Sequence, residues 1–313
     1  VYTYFGGIKA VVWVDALQMG LYLLGAAVAL FALQLAVPGG WGEILGQAAA
    51  VGKLQVVDVS LDLAVPYTFW AGLVGGGCLS MASHGTDQLI VQRLLTCRDL
   101  SASRKALVGS GFAVMVQFLL FLVIGLGLWV FYEGRAFDRT DEIFALFLVQ
   151  ELPSGVTGLL IAGVFAAAMS SLSSSINSLA SASAYDFWAP LSGAEGDETR
   201  ILRAGKAFTL LWAVLLVGGA VLFIPLSRGT TAVEVALGIA SVVYGGLLGA
   251  FGLGVLVKRA DQRSTTLGMS AGIGVVMAIW LGVPERVAWP WFVLIGTLVT
   301  FVVGWALGRK RVA

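Results

Sequence analysis

The sequence predicts an all-α integral membrane protein built as a bundle of about eight transmembrane helices, and three features point to it. Hydrophobic residues make up 58% of the 313-residue chain and charged residues only 12%, against about 25% charged in soluble domains. The apolar residues gather in stretches of about 20 or more, the length that crosses roughly 30 Å of hydrocarbon. Lys and Arg collect in alternate connections between those stretches. A helix satisfies its backbone hydrogen bonds internally, so a chain this poor in polar side chains is stable in lipid as a bundle. The lipid bilayer is therefore its first partner, and a net charge of +1 gives no reason to expect nucleic acid as another.

The spanning segments lie near 14–36, 67–92, 106–132, 156–188, 207–226, 231–257, 265–283 and 287–308. The first opens with VVWVDALQ, an acid at its start. The second, PYTFWAGLVGGGCLSMASHGTDQLIVQR, carries Gly75, Gly76 and Gly77, which invite a break, and polar residues crowded at 83–88; it is expected to be a discontinuous helix. After the third, TDEIFALFLVQELPSG at 140–155 reads as a short interfacial helix with Thr140 at its N-cap and Pro153 near its end. The fourth is rich in hydroxyls. The remaining four are largely apolar, the sixth containing YGGLLGAFGLG at 244–254.

Orientation follows from the cations. Arg93, Arg98, Arg104, Lys105, Arg200, Arg203, Lys206, Lys258, Arg259, Arg263, Arg309, Lys310 and Arg311 fall on one side; Lys53, Arg135, Arg139, Arg228 and Arg286 fall on the other, with Lys9 left aside in an amino-terminal stub. The positive-inside rule makes the first side, and the carboxyl terminus, cytoplasmic.

Several polar residues sit at depths where they are costly. In the fourth segment Ser170, Ser174, Asn177 and Ser181 recur at steps of four, three and four, on one helical face, with Ser171 and Ser173 beside them. Small hydroxylated residues let membrane helices pack closely; hydroxyl and carbonyl oxygens are also the ligands a hard cation takes. Asp15 is either an acid at a helix start, favoured by the helix dipole, or an intramembrane carboxylate costing at least about 2.5 kcal/mol unless paired or hydrated. Counting back from Arg93 along a continuous helix, Asp87 lies roughly 9 Å inside and His84 roughly 13 Å. His84 is the one histidine; intramembrane ionisable groups line cavities or pathways by default. No His/Cys metal spacing or catalytic cluster accompanies it, Cys78 and Cys97 lie in dissimilar surroundings that disfavour a disulfide, and the glycine runs sit within spanning segments, where they form no phosphate loop. The sequence does not read as an enzyme.

YTYFGGIKAVVWVDALQ at 2–18, GTDQLIVQR at 85–93, GLLIAGVFAAAMSSLSSSINS at 158–178 and YGGLLGAFGLG at 244–254 resemble, in order and spacing, the sodium:solute symporter family. The resemblance implies a LeuT-type bundle of two inverted five-helix repeats, with sodium and solute held at broken helices near the midplane. It implies one transmembrane domain over 1–313, with core helices five to ten at about 14–257, two additional helices at about 265–308, and core helices one to four missing apart from the stub. In the family a sodium ion (Na+) sits between carbonyls of core helix one and, on core helix eight, a carbonyl and two hydroxyls; the matching positions are Ala167, Ser170 and Ser171. Some members, sialic acid symporters among them, hold a second sodium ion with two further serines and an aspartate, matching Ser173, Ser174 and Asp15. Core helix six lines the solute pocket, which implicates Ser83, His84, Asp87 and Gln88. DQLIVQR resembles the sugar cotransporters, yet Ser83 and His84 replace their aromatic pair and Leu237 stands where they use a glutamine. A protonated His84 would suit a carboxylated solute such as a sialic or other organic acid, and a neutral one a hydroxyl. The expectation is a sodium-coupled symporter of a small organic solute in the cell membrane; the alternative is a symporter-like membrane sensor domain without net transport, distinguished by a signalling domain encoded beyond residue 313.

Overall fold

The computed structural model describes residues 2–226 and 231–308; the side chains of residues 2–12, Gln88, Leu89, Gln92, Ser170 and 223–226 lie outside the described residues, as do Arg228, Arg309, Lys310 and Arg311. The described helices are α1 (Tyr2–Ala36), α2 (Gly40–Ala50), α3 (Gly77–Gly85), α4 (Gln88–Leu95), α5 (Leu100–Phe131), α6 (Glu142–Glu151), α7 (Ser154–Ala182), α8 (Ala189–Ser192), α9 (Glu198–Leu226), α10 (Ala232–Leu256), α11 (Gln262–Gly282) and α12 (Pro290–Leu307). A six-residue π-helical stretch, Ala71–Gly76, leads into α3, and another, Ser183–Trp188, joins α7 to α8. Among the described residues, seven helices are long and apolar enough to cross a membrane: α1 from Trp13, α5, α7 continued to Ser192, α9, α10, α11 and α12. The eighth expected segment is present but divided among the first π-helical stretch, α3 and α4.

Two local expectations are corrected. The glycine run does not interrupt the second segment: residues 71–76 stay helical with π geometry, and Gly75 serves a close contact, since a Cβ there would lie 2.5 Å from the Pro290 carbonyl oxygen. The interruption comes ten residues later, at Thr86, where φ −122° and ψ −17° leave the helical region before α4 begins at Gln88. Thr140 does not cap α6; Asp141 occupies the N-cap position. Within 37–66, α2 begins at Gly40 (φ 59°), directly after the left-handed Gly39 (φ 87°).

The chain divides within α5 into two compact units, residues 1–51 with 117–229 and residues 52–116 with 230–313. In the first, Ala26, Ala29 and Leu33 of α1, Ile44 of α2, Ile124 and Leu128 of α5 and Phe147 of α6 form one buried cluster. The end of α6 is tied to α7 by Thr157, whose buried hydroxyl lies 2.7 Å from the Leu148 carbonyl and 3.3 Å from that of Leu152. Those carbonyls are among the ones a helix end leaves without an internal donor.

The second unit is held by small residues. α11 starts with a reciprocal cap, the Asp261 carboxylate accepting from Ser264 N–H at 2.8 Å and the Ser264 hydroxyl accepting from Asp261 N–H at 3.0 Å. It then crosses α12 so closely that a Cβ on Gly268 would lie 2.5 Å from the Thr300 carbonyl oxygen. Helices in lipid gain little from the hydrophobic effect between them and depend on such contacts. Gly268→Ala should therefore destabilise the folded chain by about 1–3 kcal/mol through overpacking. Gly274→Ala on the same helix meets nothing within 4 Å and should be close to neutral. Thermal unfolding of both variants in detergent checks this; equal midpoints would mean that α11 and α12 do not rely on the contact.

Candidate functional site

The expected ion and solute residues fall into two groups, one in each unit. The first lies on α7 and α1. Through residues 154–182, α7 is an uninterrupted helix, so Ala167, Ser171, Ser173 and Ser174 keep fixed angular positions. Ala167 is buried, whereas Ser171, Ser173, Ser174, Asn177 and Ser181 are exposed. The Ala167 carbonyl has a second lone pair beyond the one its helical hydrogen bond uses. Among the described residues, α7 packs by other positions than the hydroxyl row: Gly163 and Leu160 meet Leu21 and Gly25 of α1, and Trp212 Nε1 of α9 donates to the Ser183 hydroxyl at 2.9 Å.

These contacts set the register of α1 against α7. The pairs Gly25 with Leu160 and Leu21 with Gly163 run antiparallel. Continuing by six residues on each helix brings Asp15, which is half-buried, about level with Met169, within roughly one turn of Ser173. The group consists of oxygen donors with one carboxylate, a composition that suits a hard monovalent or divalent cation and offers nothing to a soft metal. Among the described residues there is no cluster of three or more His, Cys, Asp and Glu side chains.

The second group surrounds the interruption. Ser83, His84 and Asp87 are each half-buried. His84 Nδ1 lies 3.0 Å from the Ser80 carbonyl and 2.9 Å from the Ser83 hydroxyl, and that hydroxyl donates to the same carbonyl at 3.2 Å. The Thr86 hydroxyl donates to the Ala82 carbonyl at 2.6 Å, and Thr86 N–H donates to it at 2.9 Å. Across the interruption, the Tyr244 hydroxyl of α10 donates to Asp87 at 2.7 Å. Nearer the start of the segment, Tyr67 donates to Glu234 at 2.6 Å, and the Leu63 carbonyl accepts from Ala288 N–H at 2.8 Å. Thus α10 holds the divided segment at two levels.

Tyr244 was not among the expected site residues. It appeared only as the first letter of a glycine-rich stretch, though a tyrosine within an apolar span needs a partner for its hydroxyl. An intramembrane aspartate elsewhere in the chain was the available signal.

A profile of the sodium:solute symporter family matches residues 1–272. The chain is 30% identical over 288 residues to the sodium/sialic acid symporter SiaT of Proteus mirabilis, covering 90% of this chain and 58% of that protein. It is 28% identical over 311 residues to the sodium/sialic acid symporter NanT of Aliivibrio fischeri, covering 97% and 61%. Among solved structures it is similar to a substrate-bound outward-open state of a Na+-coupled sialic acid symporter described as revealing a novel Na+ site, with 26% identity and a TM-score of 0.70, covering 98% of this chain and 63% of that one. The fold is the LeuT-type helix bundle that the sequence predicts. The family and these relatives are transporters, not enzymes. The chain spans about three fifths of the length of the relatives it matches.

The Tyr244–Asp87 link is testable without any solute. Tyr244→Phe, Asp87→Asn and the double variant form a cycle, in which the coupling energy should be about 0.6 kcal/mol and at most about 1.7, the range of hydrogen bonds between membrane helices. Unfolding in detergent measures it; two single effects that simply add would remove this bond as a tie between α10 and the divided segment.

Proposed function

The chain belongs to the sodium:solute symporter family, and on that footing we propose that its protein is a sodium-coupled symporter of a small organic solute, working by alternating access. It lies in the cell membrane as a multi-pass protein with its carboxyl terminus cytoplasmic, an orientation supported by the thirteen cations on one side against five on the other. The observation that carries the reading is the exposed hydroxyl row of α7 with Asp15 about level with it on the antiparallel helix. One sodium ion is held by the Ala167 carbonyl and the hydroxyls of Ser170 and Ser171. A second is held by Asp15, Ser173 and Ser174. The solute meets the interruption in the second segment, through Ser83, His84, Asp87 and Gln88. The names of the relatives SiaT and NanT make sialic acid the first solute to test.

Coupling needs sodium to bind one conformation better than the other, and reciprocity then makes solute raise sodium affinity. In the complete protein, reconstituted into liposomes, uptake of labelled sialic acid, sugars or small carboxylates should accumulate under an inward sodium gradient and stop without it. Folded protein that accumulates none of them under that gradient would count against the reading. Ser171→Ala should raise the sodium concentration for half-maximal uptake about tenfold, equivalent to ~1.4 kcal/mol; unchanged sodium dependence would take Ser171 out of the ion site. Asp15→Asn should lower the number of sodium ions carried per solute, read from the reversal potential, and an unaltered ratio would remove the second ion.

A further inference from the structure

His84 Nδ1, the Ser83 hydroxyl and the Ser80 carbonyl lie within 2.9 to 3.2 Å of one another, and the chemistry of the three atoms restricts where the protons are. A carbonyl oxygen only accepts, a serine hydroxyl has one proton to give, and a ring nitrogen either donates or accepts. If Nδ1 were bare, the Ser83 proton would go to it, and two lone pairs, those of Nδ1 and the Ser80 carbonyl, would face each other at 3.0 Å. With the proton on Nδ1 all three contacts are favourable: Nδ1–H donates to the Ser80 carbonyl and to the Ser83 oxygen, and Ser83 donates to the carbonyl. The hydrogen bond made by one ring nitrogen sets what the other can do.

We infer that His84 reads a hydroxyl of the solute: its proton is held on Nδ1 by the Ser80 carbonyl, and Nε2 is presented as a hydrogen-bond acceptor. This rests on the proposed function, in which the interruption beside His84 meets the solute, and it narrows the solute class to compounds that present a hydroxyl at that point. A carboxylate has no proton to offer Nε2 and would confront it lone pair to lone pair. The ring so assigned is neutral; a cationic ring could donate from both nitrogens, and the nitrogen spectrum below separates the two. If the solute is an acidic sugar, His84 takes one of its hydroxyls and the carboxylate is bound by other groups. Ser83 then meets the solute only as an acceptor, because its single proton is committed to the Ser80 carbonyl.

The test has two independent parts. The complete protein, labelled with 15N-histidine and reconstituted in lipid bilayers without solute, gives the His84 resonances by difference from His84→Gln. A protonated Nδ1 with a bare Nε2 is expected; the opposite tautomer, or a ring protonated on both nitrogens, overturns the inference. The second part is uptake of a labelled solute by wild type, His84→Gln, which keeps an acceptor oxygen near the Nε2 position, and His84→Lys, which replaces the acceptor with a charged donor. The glutamine variant should keep most of the affinity, and the lysine variant should lose about tenfold, the effect of one hydrogen bond. A lysine variant that binds hydroxylated solutes as well as wild type, or gains affinity for a simple carboxylate, overturns the hydroxyl assignment. Absence of any sodium-driven uptake in folded wild type removes the solute role together with the proposed function, while the nitrogen spectrum still decides the tautomer.

Discussion

A polypeptide in hydrocarbon has no water to complete its backbone hydrogen bonds, and this constraint governs where the chain departs from a regular helix. Most of the spanning residues avoid the problem by being helical from end to end. Around the interruption at Thr86, side chains add further bonds to carbonyls of the preceding turn. The Thr86 hydroxyl adds to the backbone donor on the Ala82 carbonyl, Ser83 and His84 both turn back onto the Ser80 carbonyl, and the Asp87 carbonyl starts α4 by accepting from Val91 N–H at 2.9 Å. Ser83, His84 and Thr86 are thus engaged first with carbonyls of their own segment. Their availability to a solute is a second use, and it is limited by the first: a proton already given to a carbonyl cannot be given again.

The same scarcity of driving forces explains the glycines. Between α11 and α12 the backbone itself is the contact surface, with Gly268 against the Thr300 carbonyl, and Gly75 gives the Pro290 carbonyl similar access to the divided segment. Dispersion falls off steeply with separation, so removing a Cβ at the crossing point strengthens many neighbouring contacts. Close packing of this kind also makes a helix group move as a body, because an interface without slack is not continuously deformable. Within the second unit, α10 and α12 are both fastened to the divided segment, through Tyr67, Tyr244 and Gly75.

What the sequence revealed and what it hid follow from range. The apolar segments were legible because hydropathy over about 20 residues is a local property with a large signal. The existence of a break in the second segment was legible from polar residues at membrane depth, but its position was not. Three consecutive glycines look like a hinge, and only Pro290, more than 200 residues away, gives Gly75 a reason that is not a hinge. α2 was missed because its glycine-rich start reads as a loop, although Ile44 and Ala48 at a four-residue spacing mark a buried face. The Tyr244–Asp87 bond joins positions 157 apart; neither residue implies the other without the fold. In the hydroxyl row of α7, the exposed positions Ser174, Asn177 and Ser181 were legible, since three-four spacing on an unbroken helix needs no tertiary information.

The contrast between an unbroken α7 and a divided second segment bears on how coupling works in the proposed function. An ion site on a continuous helix has its hydroxyls spaced by the helix itself, so its affinity depends on what approaches α7 and not on internal rearrangement of the row. A solute site at an interruption differs, because His84 lies at the end of α3 while Asp87 lies just ahead of α4, and only Thr86 and Asp87 join these two helical pieces. A solute that binds both pieces favours one angle between them. That angle is also held by Tyr244 through Asp87, so solute and α10 act on the same joint. Differential affinity for two states, which any coupled carrier requires, then has a structural origin in this segment: the solute distinguishes conformations by the geometry of the joint, whereas sodium distinguishes them by what comes to face a rigid row of oxygens.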